Sequence, residues 1–115
     1  ALSVCYDMRF PELYRQLQPD LIMAPSAFTH TTGQAHWEVL LRARAIENLA
    51  YLIAPAQGGL HPSGRRTWGQ TLAIDPWGQV LAQQAEGPGV VLADCDWARV
   101  QAVREQLPAL RHRVF

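Results

Sequence analysis

The chain has 115 residues, enough for one domain with a core, and a globular composition of 49% hydrophobic and 17% charged residues. Ten basic and ten acidic residues cancel to a net charge of zero, so there is no basic footprint for nucleic acid and no acidic tail. No apolar run reaches membrane-spanning length, and two cysteines, Cys5 and Cys95, are too few for a disulfide framework, which makes a cytoplasmic, reducing setting the expectation.

Ala1 to Val4 is an apolar, β-compatible run that ends on Cys5. Residues 6 to 10 turn, and Pro11-Glu12 opens a helix, since proline suits the first helical position and an acid the first turn. A strand that delivers a cysteine just ahead of a helix has the outline of a nucleophile elbow. Helix amides favour the thiolate, and the amide after the cysteine can face a developing oxyanion. The residues alone leave two readings of Cys5 open, a catalytic thiol or a buried structural one.

Leu21 to Pro25 reads as a second strand, parallel to the first through a right-handed crossover. Ser26 to Gly33 is then a loop beside Cys5. Thr31 and Gln34 have capping-box spacing, so a long helix is expected from there to Ala50. Its buried face is read as Ala35, Val39, Ala43, Ile46 and Ala50, with Glu38, Arg42 and Arg44 pointing away. Tyr51 to Ala56 is a third strand, and 57 to 68 is a Gly/Pro/Arg loop of functional length. Residues 71–74 and 80–82 flank Asp75-Pro76-Trp77-Gly78 as a hairpin. Gly87-Pro88-Gly89 turns, and Val90 to Ala93 is the last strand. Asp96 caps a helix from Trp97 to Leu107, and Arg111 to Phe115 form a basic tail.

Cys5-Tyr6-Asp7-Met8-Arg9-Phe10-Pro11-Glu12 resembles the nucleophile signature of the nitrilase superfamily of carbon–nitrogen hydrolases. Gly33 to Glu38, Arg42 to Asn48, Ala54 to Gly58, Asp75 to Gly78 and Leu107-Pro108 continue the likeness in order, within its Nit-type amidases. The resemblance covers the carboxyl-terminal half of those enzymes. It implies an α/β fold: half of an α-β-β-α sandwich, a mixed sheet with helices on one side, with residues 1–115 as the carboxyl-terminal part of one carbon–nitrogen hydrolase domain.

By the same resemblance, Cys5 is the nucleophile and the Tyr6 backbone amide an oxyanion donor. The family's Glu base and its Lys precede the Cys; this chain has no Lys, and Glu12, Glu38 and Glu47 do not match the base. The implied reaction is hydrolysis of a small ω-amide, such as deaminated glutathione, through a Cys thioester. No metal or organic cofactor is implied, and the working form is a homo-oligomer, dimer or higher. The isolated chain is expected to be inactive, and poorly soluble or self-associating through exposed strand edges.

Arg9, Phe28, Thr29, His30 and Thr31 are the substrate-binding candidates. Arg9 is open to a second reading as a partner of Asp7 or Glu12, and Thr29 to Thr31 as loop packing. Arg65 and Arg66, in the long loop, are open to two readings, contact with an anionic substrate or a solvated surface pair, and Cys95 reads as structural. His30, His36, His61 and His112 lack metal-ligand spacing. Two rivals stand beside the amidase reading: a Cys5–His30 dyad, making a self-contained thiol hydrolase, and a non-catalytic interaction module.

Overall fold

The structure is a computed structural model, and it describes residues 1–114. Its main sheet has four strands in the order β1 (Leu21–Met23), β2 (Tyr51–Ala54), β5 (Thr71–Ile74), β6 (Val80–Gln84). β1 and β2 run parallel, and β5 and β6 are added antiparallel. A separate two-stranded ribbon joins β3 (Gly58–Leu60) to β4 (Arg66–Trp68). The loop expected over 57–68 therefore contains a hairpin of its own.

Residues 1–5 extend the sheet beside β1. The Ser3 amide donates to the Met23 carbonyl at 3.0 Å, the Met23 amide to Ala1 at 2.9 Å, and the Cys5 amide to Pro25 at 3.1 Å. The expected parallel crossover thus holds. The turn after Cys5 is a 3-10 helix, Cys5–Arg9, followed directly by α1 (Pro11–Leu17) with Pro11 at its start.

The long helix is α2 (His30–Asn48), with Thr29 at its N-cap. It begins ahead of the expected site, so Thr31 and Gln34 lie inside its first turns rather than forming a capping box. Its buried side is Gly33, Trp37, Leu41, Arg44, Ala45 and Asn48. That corrects the expected face: Ala35 is exposed, as are Val39 and Ile46, while Arg44 is buried. The core joins Met8, Tyr14, Ile22, Trp37, Leu41 and Leu52 with their neighbours between α2 and one face of the sheet. Cross-strand partners Ile22, Leu52 and Ile74 line that face together.

Asp75 builds the β5–β6 turn by accepting the Trp77 and Gln79 amides at 2.9 and 2.8 Å. Asp96 caps α3 (Trp97–Gln106) through the Ala98 amide, as expected. The strand expected over 90–93 is absent. Those residues pair with no strand, and Val90 and Leu92 face outward. A segment without a neighbour to satisfy its backbone groups does not become a strand, however apolar its pattern. Of the basic tail, Phe115 lies outside the described residues.

Tyr14 ties α1 to the first segment by donating to Ser3 Oγ at 2.8 Å. Burial pushes its phenol above the usual value of 10.0; Asp7 adds to the rise, and Ser3 and Arg44 oppose it. A phenol that ionises later in the folded chain than in the unfolded one contributes stability that is full below about pH 10 and lost above it. Tyr14→Phe is expected to cost about 1 kcal/mol at pH 7, from the lost hydrogen bond. It is also expected to reduce the alkaline loss of stability, as read by urea unfolding at pH 7 and at alkaline pH.

Candidate active site

Cys5 sits at the carboxyl-terminal edge of the sheet with φ +48°. That left-handed conformation is uncommon for a residue with a side chain and stores roughly 1 to 2 kcal/mol of strain. Three local contacts hold it. The Cys5 amide is anchored to Pro25. The Asp7 carboxylate accepts the Val4 amide at 2.8 Å, and the Asp7 amide returns a bond to the Val4 carbonyl at 3.0 Å. The chain therefore reverses tightly around Cys5 and carries it to the rim. The Tyr6 amide falls in the first turn of the 3-10 helix, where no helical carbonyl reaches it. It is therefore available as a donor. The Tyr6 ring is exposed and meets Phe10 edge-on at 5.6 Å.

Cys5 lines a cleft of about 990 Å³. Its walls follow the carboxyl ends of successive strands: Val4 and Cys5, then Pro25, Ser26 and Ala27, then Pro55, Ala56 and Gln57. The parallel arrangement predicts this convergence, because it brings those ends to one edge. Beyond them lie His61, Arg65, Gln70, Thr71 and Glu86. Of this group, the sequence singles out Arg65 for one of its two readings; it does not assign His61, Gln70, Thr71 or Glu86 to the site, and the signal for His61 is the length of the 57–68 segment.

The other candidates are placed elsewhere. Phe28 is buried, with its ring 5.1 Å from Trp37. Arg9 lies over Phe28 at 5.0 Å and Tyr6 at 5.6 Å, and its Nη1 is 3.4 Å from His36 Nδ1. It therefore staples the elbow to α2, and it bonds neither Asp7 nor Glu12. Thr29 bridges to Thr67, and His30 packs edge-on against Trp68 at 5.2 Å. Thr31 is exposed on the first turn of α2. Arg9, Phe28, Thr29, His30 and Thr31 do not line the Cys5 cleft. His30 is not among the residues lining the Cys5 cleft; the histidine there is His61, whose Nε2 is 2.7 Å from Thr67 Oγ1.

The acids excluded as bases are engaged or remote. Glu38 pairs with Arg42 at 3.6 Å and Glu47 with Arg44 at 2.8 Å, while Glu12 borders a different hollow beside Arg15. Cys95 is half-buried and free; burial, with Asp94 beside it, pushes its thiol upward, as suits a structural residue. Among the described residues no cluster of His, Cys, Asp or Glu is built to hold a metal, and no helix is long and apolar enough to cross a membrane.

The carbon-nitrogen hydrolase family model matches residues 1–105. A deaminated glutathione amidase of Synechocystis is 54% identical over 100% of this chain and 43% of its own length. The crystal structure of the Caenorhabditis elegans NitFhit protein superposes with a TM-score of 0.95 at 47% identity, over 98% of this chain and 29% of that one. A mutant amidase of Nesterenkonia superposes with a TM-score of 0.73 at 31% identity, over 93% of this chain and 42% of that one; acrylamide is joined to its active-site cysteine. The chain thus spans less than half the length of each. A family match across nearly all its residues, with an elbow cysteine at the sheet's edge, establishes that the chain belongs to the carbon-nitrogen hydrolase family and carries part of the nitrilase fold.

Proposed function

We propose that this chain is the nucleophile-bearing part of a longer amidase that hydrolyses small ω-amides, with deaminated glutathione the leading substrate. The observation that carries the reading is Cys5, held at φ +48° on the rim of a cleft that also holds His61, Arg65 and Glu86. The relatives named deaminated glutathione amidase supply the substrate class. The acrylamide adduct on the active-site cysteine of the Nesterenkonia amidase supports a nucleophilic cysteine in this fold.

The Cys5 thiolate attacks the amide carbon, and the carbonyl oxygen becomes an oxyanion that the Tyr6 N–H faces. Collapse forms the thioester and breaks the C–N bond, and the nitrogen takes a proton and leaves as the free amine: ammonia from a primary ω-amide, the cysteinylglycine amine from deaminated glutathione. Water then attacks the thioester, releases the carboxylic acid and restores the thiol.

The proton carrier and the second oxyanion stabiliser come from outside this chain in our reading. It has no Lys, and by the family resemblance the base precedes the nucleophile, which no Glu of this chain does, Glu86 at the cleft included. The 115 residues alone are therefore inactive. A homo-oligomer in a reducing, cytoplasmic compartment suits an enzyme that depends on a free thiol. The test measures release of ammonia from primary ω-amides and of the free amine from deaminated glutathione, with the longer protein and the 115-residue chain side by side. Release by the longer protein alone supports the reading. Equal turnover by the short chain contradicts its dependence on outside groups, and no turnover of any ω-amide by the longer protein contradicts the substrate class.

A further inference from the structure

Arg65 stands out among the groups around Cys5. It follows the turn at the tip of the β3–β4 ribbon, where the His61 amide bonds the Arg65 carbonyl at 2.8 Å and Gly64 takes φ +82°. That geometry turns the chain back, and the Arg65 side chain joins the lining of the Cys5 cleft. Its Nη2 donates to the Ala27 carbonyl at 3.3 Å. The same stretch, two residues earlier, anchors the Cys5 amide through the Pro25 carbonyl. One strand end therefore tethers both the nucleophile and the guanidinium.

Arg42, Arg44, Arg99 and Arg104 all have acidic partners, whereas no carboxylate lies within ion-pair distance of Arg65 among the described residues. The cleft holds one other cationic candidate, His61, and one acid, Glu86. A guanidinium offers a planar fork of donors that fits a carboxylate, and a single carbonyl contact leaves most of that fork unused.

We infer that Arg65 is the specificity residue of this site: it binds a free carboxylate at the far end of the substrate while the amide carbon lies at Cys5. The site thus selects ω-amides of dicarboxylic acids over neutral amides. The inference rests on the amidase reading above and adds to it a named residue and a charge requirement. Arg66, the next residue, is exposed outside the cleft and takes no part.

The test uses the longer protein with two probe amides, glutaramate and neutral valeramide. Arg65→Gln is expected to lower the preference for glutaramate, measured as a ratio of kcat/KM values, by about 10- to 100-fold through KM. Arg65→Lys restores part of it, and Arg66→Gln leaves the ratio unchanged. An unchanged ratio in Arg65→Gln, or an equal fall in Arg66→Gln, overturns the inference.

A second readout separates this inference from the amidase reading. Alkylation of Cys5 by anionic iodoacetate is compared with alkylation by neutral iodoacetamide, using peptide mapping to set Cys95 aside. Arg65→Gln is expected to lower the iodoacetate-to-iodoacetamide rate ratio several-fold, whether or not either amide is hydrolysed. A shifted ratio without any amide turnover retains the anion site and rejects the amidase reading. An unshifted ratio rejects the anion site.

Discussion

Cys5→Ala in the longer protein is expected to lower kcat for amide hydrolysis by roughly a thousandfold or more, to background. The covalent route divides a difficult displacement into two easier steps, and alanine has no atom to form the thioester. Steady-state ammonia release measures the loss. Stability is expected to behave differently. The residue sits at φ +48°, so Cys5→Gly removes strain of roughly 1 to 2 kcal/mol while losing a partly buried contact with the core. The glycine variant is therefore inactive and no less stable than the parent by urea unfolding. A residue that is poor for its backbone conformation and indispensable for turnover marks a site kept for its chemistry.

Arg44→Leu is the second large effect. Arg44 is 5% exposed, and its Nε donates to the Met8 carbonyl at 2.9 Å while Nη1 meets Glu47 at 2.8 Å. Leucine leaves that carbonyl without this donor and a half-buried carboxylate without its cation. The expected loss is about 3 kcal/mol of stability. Since Met8 belongs to the 3-10 helix that carries Cys5, kcat is expected to fall as well. Urea unfolding and ammonia release on one preparation measure both. A loss under about 1 kcal/mol with unchanged kcat would show that Arg44 does not brace the elbow.

Arg44 also explains what the sequence hid. α2 carries two stripes that compete for the core. Ala35, Val39, Ala43 and Ile46 form the more uniformly apolar one, and periodicity selects it. The buried stripe contains Arg44 and Asn48, which look like surface residues until their partners are known. The Glu47 pair and the Asn48 Nδ2 bond to the Arg44 carbonyl at 2.8 Å are local to α2, but the Arg44 bond to Met8 joins elements 36 residues apart. No local pattern encodes that last contact, which is the one that draws Arg44 inward.

What was legible rested on local chemistry. Pro11 after the elbow, Asp75 in its turn and Asp96 at its cap each do what their side chains dictate nearby. The parallel pairing of residues 1–5 with β1 followed from the length of the strand–helix–strand connection. It placed the start of the following loop, at Ser26, beside Cys5, and Ser26 lines the cleft. It did not show where that segment stops facing Cys5. The Trp68 amide bonds the Phe28 carbonyl at 2.9 Å, which carries Thr29, His30 and Thr31 toward β4 and away from the cleft. The residues that line the cleft instead come from the turn of the β3–β4 ribbon, from Gln70 and Thr71, and from Glu86. Val90 and Leu92 failed for the opposite reason: their pattern suits a strand, but a strand is made by its neighbour.

The most direct test of the central claim, that Cys5 forms the covalent intermediate, is mass spectrometry of the longer protein acid-quenched during turnover of an ω-amide. The account predicts an acyl mass on the peptide containing Cys5, released by hydroxylamine, and none on the peptide containing Cys95. Turnover with no adduct on Cys5, or with the acyl group on another residue, would contradict it.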